Sequence, residues 1–208
     1  MAMVIVFSSD TMGMALPQVR KIYILYFMDI NALVNVTSRA WSLSILALMH
    51  RGTPGRQASL LAASGAGRTA FSQSLWHLVD LGLLEKNPGH GHPLRPEFRL
   101  TAKGVGFAKF ADRVDSLVHQ PFEHSLLRRV WTVPVLIVCQ GPRYFGEIKC
   151  QLAPITDRAL SQSLKQLESQ AWLHREIETS SRPVRSRYQA ANTGAEISQA
   201  VGLQILAR

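Results

Sequence analysis

The 208-residue sequence predicts a mainly α-helical fold with small β-hairpins, arranged as two tandem units of one plan. Three observations carry the prediction. Segments separated by 89 or 90 residues repeat one another in order. Apolar residues recur at helical spacing at the same places in both copies. Near the end of each copy, a loop rich in Pro, Gly, Ser and Arg separates two short extended runs. The expected division is an N-terminal extension at 1–36, a first unit at 37–120 and a second at 121–208.

The clearest repeat sets Ser-Gln-Ser-Leu-Trp-His-Leu at 72–78 against Ser-Gln-Ser-Leu-Lys-Gln-Leu at 161–167. At nearly the same offset Trp41 pairs with Trp131, Leu46 with Leu136, Gly52 with Gly141 and Leu84 with Leu173. Phe98 and Gly104 pair with Tyr188 and Gly194. Ordered landmarks of this kind point to duplication, and two copies are too few for a solenoid.

Each copy opens with an apolar helix, expected at 37–50 and 125–140, where Trp131, Val135, Leu136 and Cys139 share a core face. Gly52-Thr53-Pro54-Gly55 and Gly141-Pro142 end these helices. A short second helix follows at 56–63 and 144–152, then a turn, then a third helix at 67–81 and 156–170. Thr156 is a suitable N-cap for the last of these, with Asp157 in its first turn. Strands are expected at 83–86 and 172–177, loops at 87–96 and 179–186, and returning strands at 97–100 and 187–190. Helices at 102–118 and 193–207 close the units. Three helices, a hairpin and a final helix are the order of a winged helix-turn-helix.

Net charge is +9 and the sequence pI about 10.2, with the excess spread over both halves. Such a balance raises the expectation of a polyanionic partner, nucleic acid or an acidic membrane. In a helix-turn-helix the second helix enters the major groove, so one face packs and the other meets bases and phosphates. In copy two Leu160, Leu164 and Leu167 form the packing face, leaving Arg158, Ser161, Gln162 and Lys165 outward. In copy one Phe71, Leu75 and Leu78 face inward, leaving Arg68, Thr69, Ser72, Gln73 and Trp76. These are donors and acceptors suited to base edges and phosphates, although a solvated amphipathic helix shows the same pattern. The loops add Arg182, Arg185 and Arg187 in the second wing and His90, His92 and Arg95 in the first. Trp76 stands where copy two has Lys165 and is either an outward aromatic or a contact between domains or chains.

The second copy resembles the HxlR-type winged-helix regulators, a group close to the MarR-like proteins. The resemblance lies in Trp131-Thr-Val-Pro-Val-Leu136, in Gly141-Pro-Arg-Tyr-Phe-Gly-Glu-Ile148 and in the run from Ile155 to Glu168. It implies a DNA-binding transcriptional regulator of double-stranded operators, commonly a homodimer on a palindrome. It also implies a reading-helix role for Arg158, Ser161, Gln162 and Lys165, and a wing role for Arg182, Arg185 and Arg187. Copy one matches more loosely, best in Phe98-Arg-Leu-Thr-Ala-Lys-Gly104. Unlike members that sense oxidants through a cysteine ahead of the first helix, 119–127 has none. Ala190-Ala191 replaces the Leu-Thr the family prefers. The duplication would let one chain supply both half-site readers as a built-in pseudo-dimer.

Other chemistries find little support. The two cysteines, Cys139 and Cys150, make neither a disulfide framework nor a metal pattern, and a buried or half-buried role in a reducing cytoplasm is expected. His90-Gly91-His92 lacks partner ligands, Gly65-Ala66-Gly67 is no phosphate loop, and no nucleophile elbow occurs. Neither enzyme activity nor a cofactor is expected, and a small-molecule effector stays undetermined. The apolar run 22–28 is too short to span a membrane and lacks a cleavage site, so 1–28 reads as a packing element or an upstream extension. The rival function is a tandem winged-helix module for protein–protein contact.

Overall fold

The computed structural model describes residues 29–92, 95–179 and 184–200. The first half holds α1 (Ile30–Thr37), α2 (Ser42–His50), α3 (Gln57–Ser64), α4 (Arg68–Asp80), the hairpin β1 (Leu84–His92) and β2 (Arg95–Leu100), and α5 (Ala102–Ser116). The second half holds α6 (Pro121–Leu127), α7 (Thr132–Val138), β3 (Arg143–Tyr144), α8 (Phe145–Gln151), α9 (Asp157–Ser169), β4 (Leu173–Glu178), β5 (Arg185–Ala190) and α10 (Asn192–Ala200). The result is a mixed fold of helices and two small antiparallel sheets, as the winged helix-turn-helix plan requires.

The opening helix expected in each half is instead two helices. Helices α1 and α2 meet at 99°. The apolar periodicity runs across the break, but hydroxyls near it bond back to the chain and compete with helix continuation. Thr37 Oγ1 donates to the Leu33 carbonyl at 3.0 Å and Ser38 Oγ to that of Asn35 at 2.7 Å. In the second half Thr132 Oγ1 donates to the Leu126 carbonyl at 2.7 Å across the turn between α6 and α7. Helix α1 begins at Ile30, so the expected start of the first unit at 37 cuts through its last residue. Pro134 is tolerated in α7 because it sits in the first turn, where its missing N–H has no helical acceptor.

Both hairpins reach further than expected. The first ladder pairs Leu84 with Leu100 and Lys86 with Phe98, shifts register before Gly91, and resumes with Gly91–Pro96 and His92–Arg95. A bulge thus absorbs part of the Pro/Gly stretch that reads as loop. In the second sheet, of order β3-β5-β4, pairing runs from Leu173–Ala190 to Glu178–Arg185. Arg185 and Ser186, expected in the loop, therefore lie in β5. Helix α10 is described to Ala200, and the rest of the expected 193–207 helix lies outside the described residues.

The core joins both halves. Leu46, Leu75, Leu78 and Phe110 are fully buried in the first half, and Leu136, Ile148, Leu160 and Leu167 in the second. Helix α1 packs on α7, and α10 packs on α5. One junction recurs at the repeat offset. The Leu83 carbonyl accepts from Thr101 N at 3.0 Å, and the Trp172 carbonyl from Ala191 N at 2.9 Å. The closing helix passes so close to that carbonyl that a Cβ at Gly104 would collide with Leu83 O, and one at Gly194 with Trp172 O. Among the described residues no single helix is long and apolar enough to cross a membrane.

Candidate nucleic-acid interface

Helix α9 is set by its ends and its buried stripe. Thr156 Oγ1 accepts from Ala159 N at 3.2 Å, satisfying one of the free N–H groups of the first turn. Leu160, Leu164 and Leu167 are buried, and Arg158, Ser161, Gln162 and Lys165 are all exposed. Asp157 would place a carboxylate in that first turn, but Lys149 of α8 pairs with it at 2.7 Å. The sequence reading missed this pair because it joins two different helices.

Helix α4 follows the same scheme, with Phe71, Leu75 and Leu78 buried. Arg68, Thr69 and Gln73 are exposed, and Ser72 is half-buried. Trp76 is 39% exposed, and its ring meets Phe98 edge-on at 5.6 Å between centroids. The Lys86 ammonium lies 5.3 Å from the Trp76 ring centre. Trp76 thus packs on its own hairpin and ties α4 to the root of β1 and β2.

The second wing is a network. Arg187 lies 3.7 Å from Glu176 and 3.8 Å from Glu178, and its side chain is 35% exposed. The Tyr144 hydroxyl donates a short hydrogen bond to Glu178, and this contact raises the pKa of the phenol. Arg185 is exposed, with its guanidinium 5.9 Å from the Tyr144 ring centre. Arg175, not singled out from sequence, donates to Ser186 Oγ at 3.1 and 3.0 Å and lies 5.9 Å from the Tyr188 ring centre. These cross-strand partners depend on register, which spacing alone does not reveal. Arg182 lies outside the described residues, as do the side chains of His90, His92 and Arg95.

The cysteines differ. Cys139 is fully buried, and desolvation pushes its thiol up to about 12. Cys150 is exposed on α8, against the expectation of a buried or half-buried residue. No group of three His, Cys, Asp or Glu side chains suited to a metal occurs among the described residues.

No curated protein matches the chain. Among solved structures, the reduced form of the transcriptional regulator YodB from B. subtilis is similar, with 26% identity and a TM-score of 0.36, over 43% of this chain and 90% of that one. Residues 126–205, which contain α7 to α10, match the model of the HxlR-like helix-turn-helix family.

Proposed function

We propose that the protein is a DNA-binding transcriptional regulator in which two winged helix-turn-helix units, one of α1 to α5 and one of α6 to α10, read one duplex operator. The observation that carries this is the pair of helices α4 and α9, each buried along one face and exposing Arg, Gln and Ser or Thr along the other. The HxlR-like match over 126–205 supports it for the second unit. Arg158, Ser161, Gln162 and Lys165 meet base edges and phosphates in the major groove, and Arg68, Thr69, Ser72 and Gln73 do so more weakly. Arg185, with Arg182 and Arg95, reaches the backbone or minor groove. Arg187, held by two glutamates, shapes the wing. The packing of α10 on α5 and of α1 on α7 supports reading the two units as a built-in pseudo-dimer.

The test is a titration of a duplex carrying the protein's own promoter region against an unrelated duplex at several salt concentrations. The promoter duplex is expected to bind more tightly, with affinity falling linearly in log–log form as salt rises. Equal, weak binding to both duplexes refutes sequence-specific reading. The glutamate pairing of Arg187 favours one second reading, a protein-binding wing. It predicts that Arg158→Ala with Arg185→Ala leaves duplex binding unchanged while a protein partner is lost.

A further inference from the structure

This inference rests on reading the two halves as equivalent units, in which α1 corresponds to α6 and α2 to α7. Helix α1 packs on α7. The corresponding approach of α6 to α2 is held open by a cleft of about 460 Å³. The side chains account for the difference. Helix α1 offers Leu33, Val34 and Val36, the first and last of them buried. At the positions corresponding to Leu33 and Val34, α6 has Glu123 and His124. Glu123 is turned to its own helix start, accepting from Gln120 N at 2.9 Å and His119 N at 2.8 Å. His124 faces Asp115 at 3.5 Å. A polar α6 does not close on α2 as the apolar α1 closes on α7, because burying these groups without partners is costly.

The cleft has the volume of a small-molecule site. Half-buried Leu48 and Trp41 supply its accessible apolar surface, with Leu43, Val114 and Leu127 buried behind it. Its charges are unevenly paired, with two carboxylates on one arginine. Arg51 is neutralised by Asp112 at 2.5 Å and Asp115 at 2.8 Å. Arg128 has no carboxylate within 4.0 Å among the described residues, and its guanidinium lies over the Trp41 ring, 4.7 Å from the centre. His119 and His124 also line the cleft. We propose that this cleft binds a small organic monocarboxylate, its apolar body along Leu48 and Trp41 and its carboxylate on Arg128.

The test is calorimetric titration of the full chain with hexanoate and benzoate, and with hexanamide and benzamide as uncharged counterparts. At least one carboxylate is expected to bind saturably, with its amide weaker by about tenfold or more, since the charge-assisted hydrogen bond is lost. Arg128→Met should weaken the carboxylate to a similar degree and leave the amide unchanged, and Leu48→Trp should block both by filling the cleft. The better of the two acids tells an aliphatic from an aromatic body. No binding of either acid up to about 10 mM overturns the proposal, as does binding that amides match or that Arg128→Met leaves intact. Duplex binding measured on the same preparation keeps the two ideas apart. Duplex binding without carboxylate binding overturns the cleft site only. Carboxylate binding by a chain that binds no promoter duplex overturns the regulator reading only.

Discussion

Replacing Gly104 or Gly194 by alanine sets two physical effects against each other with opposite signs. Each glycine lies in the first turn of a closing helix, where alanine is favoured over glycine by up to about 1 kcal/mol. Propensity alone therefore predicts a more stable protein. The structure predicts the reverse. The new Cβ would fall inside contact distance of a backbone carbonyl, Leu83 in one case and Trp172 in the other, and at Gly194 also 2.9 Å from Leu136 Cδ2. Neither carbonyl can swing away freely, because each accepts a backbone N–H at 3.0 or 2.9 Å, and losing that bond costs about 1 kcal/mol. Forcing extra atoms into a packed junction costs about 1–3 kcal/mol. The net expectation is a loss of about 1–3 kcal/mol at each site, or a fall in Tm of roughly 3–10 °C. Gly146 is the control: it lies in α8 with open space around its Cβ position, so Gly146→Ala should be neutral or stabilising. Circular dichroism melts and urea titrations of the three variants decide the matter. An unchanged or raised Tm for Gly104→Ala or Gly194→Ala refutes the close helix–strand approach.

Further outcomes follow from the same contacts. Leu164→Ala should cost about 2–5 kcal/mol in urea denaturation, whereas Gln162→Ala on the opposite face should change stability by no more than about 0.5 kcal/mol. Glu123 is held below its usual carboxylate pKa by the Gln120 and His119 amides. Its folded pKa is depressed, so its contribution is present above the unfolded value of 4.5 and is lost as pH falls through the folded one. The urea midpoints of wild type and Glu123→Gln should therefore differ at neutral pH and converge in acid; a constant gap contradicts this. At pH 8 a thiol reagent should label Cys150 readily and native Cys139 only after denaturation, because the thiolate is the reactive form. Equal labelling rates in the native state would contradict the burial of Cys139.

The parts of this fold that a period of 3.6 residues governs are legible in the sequence. The stripes Leu160–Leu164–Leu167 and Phe71–Leu75–Leu78 follow from spacing, and the faces opposite them follow in turn. The pairing of Gly104 with Gly194 is visible as a repeat, but its cause, a carbonyl from the preceding strand start, is not. The break between α1 and α2 is hidden because the apolar pattern continues through it while Thr37 and Ser38 redirect the backbone. Contacts between different elements, such as Lys149 with Asp157 or Tyr144 with Glu178, depend on how the end of α8 meets the start of α9 and on the register of β3-β5-β4. The same holds for Trp76, whose position on α4 gives no sign that Phe98 and Lys86 lie against its ring.

The central claim is that α4 and α9 both read one duplex, α9 the more strongly. Its most direct test is a set of binding isotherms on the promoter duplex and a scrambled duplex for wild type, Arg158→Ala with Gln162→Ala, and Arg68→Ala with Gln73→Ala. At about 1–3 kcal/mol per specific contact, the α9 pair should lose roughly 10-fold to 100-fold or more on the promoter duplex and most of its preference over the scrambled one. The α4 pair should lose less but measurably. Unchanged promoter affinity and preference in the α9 pair would contradict the account.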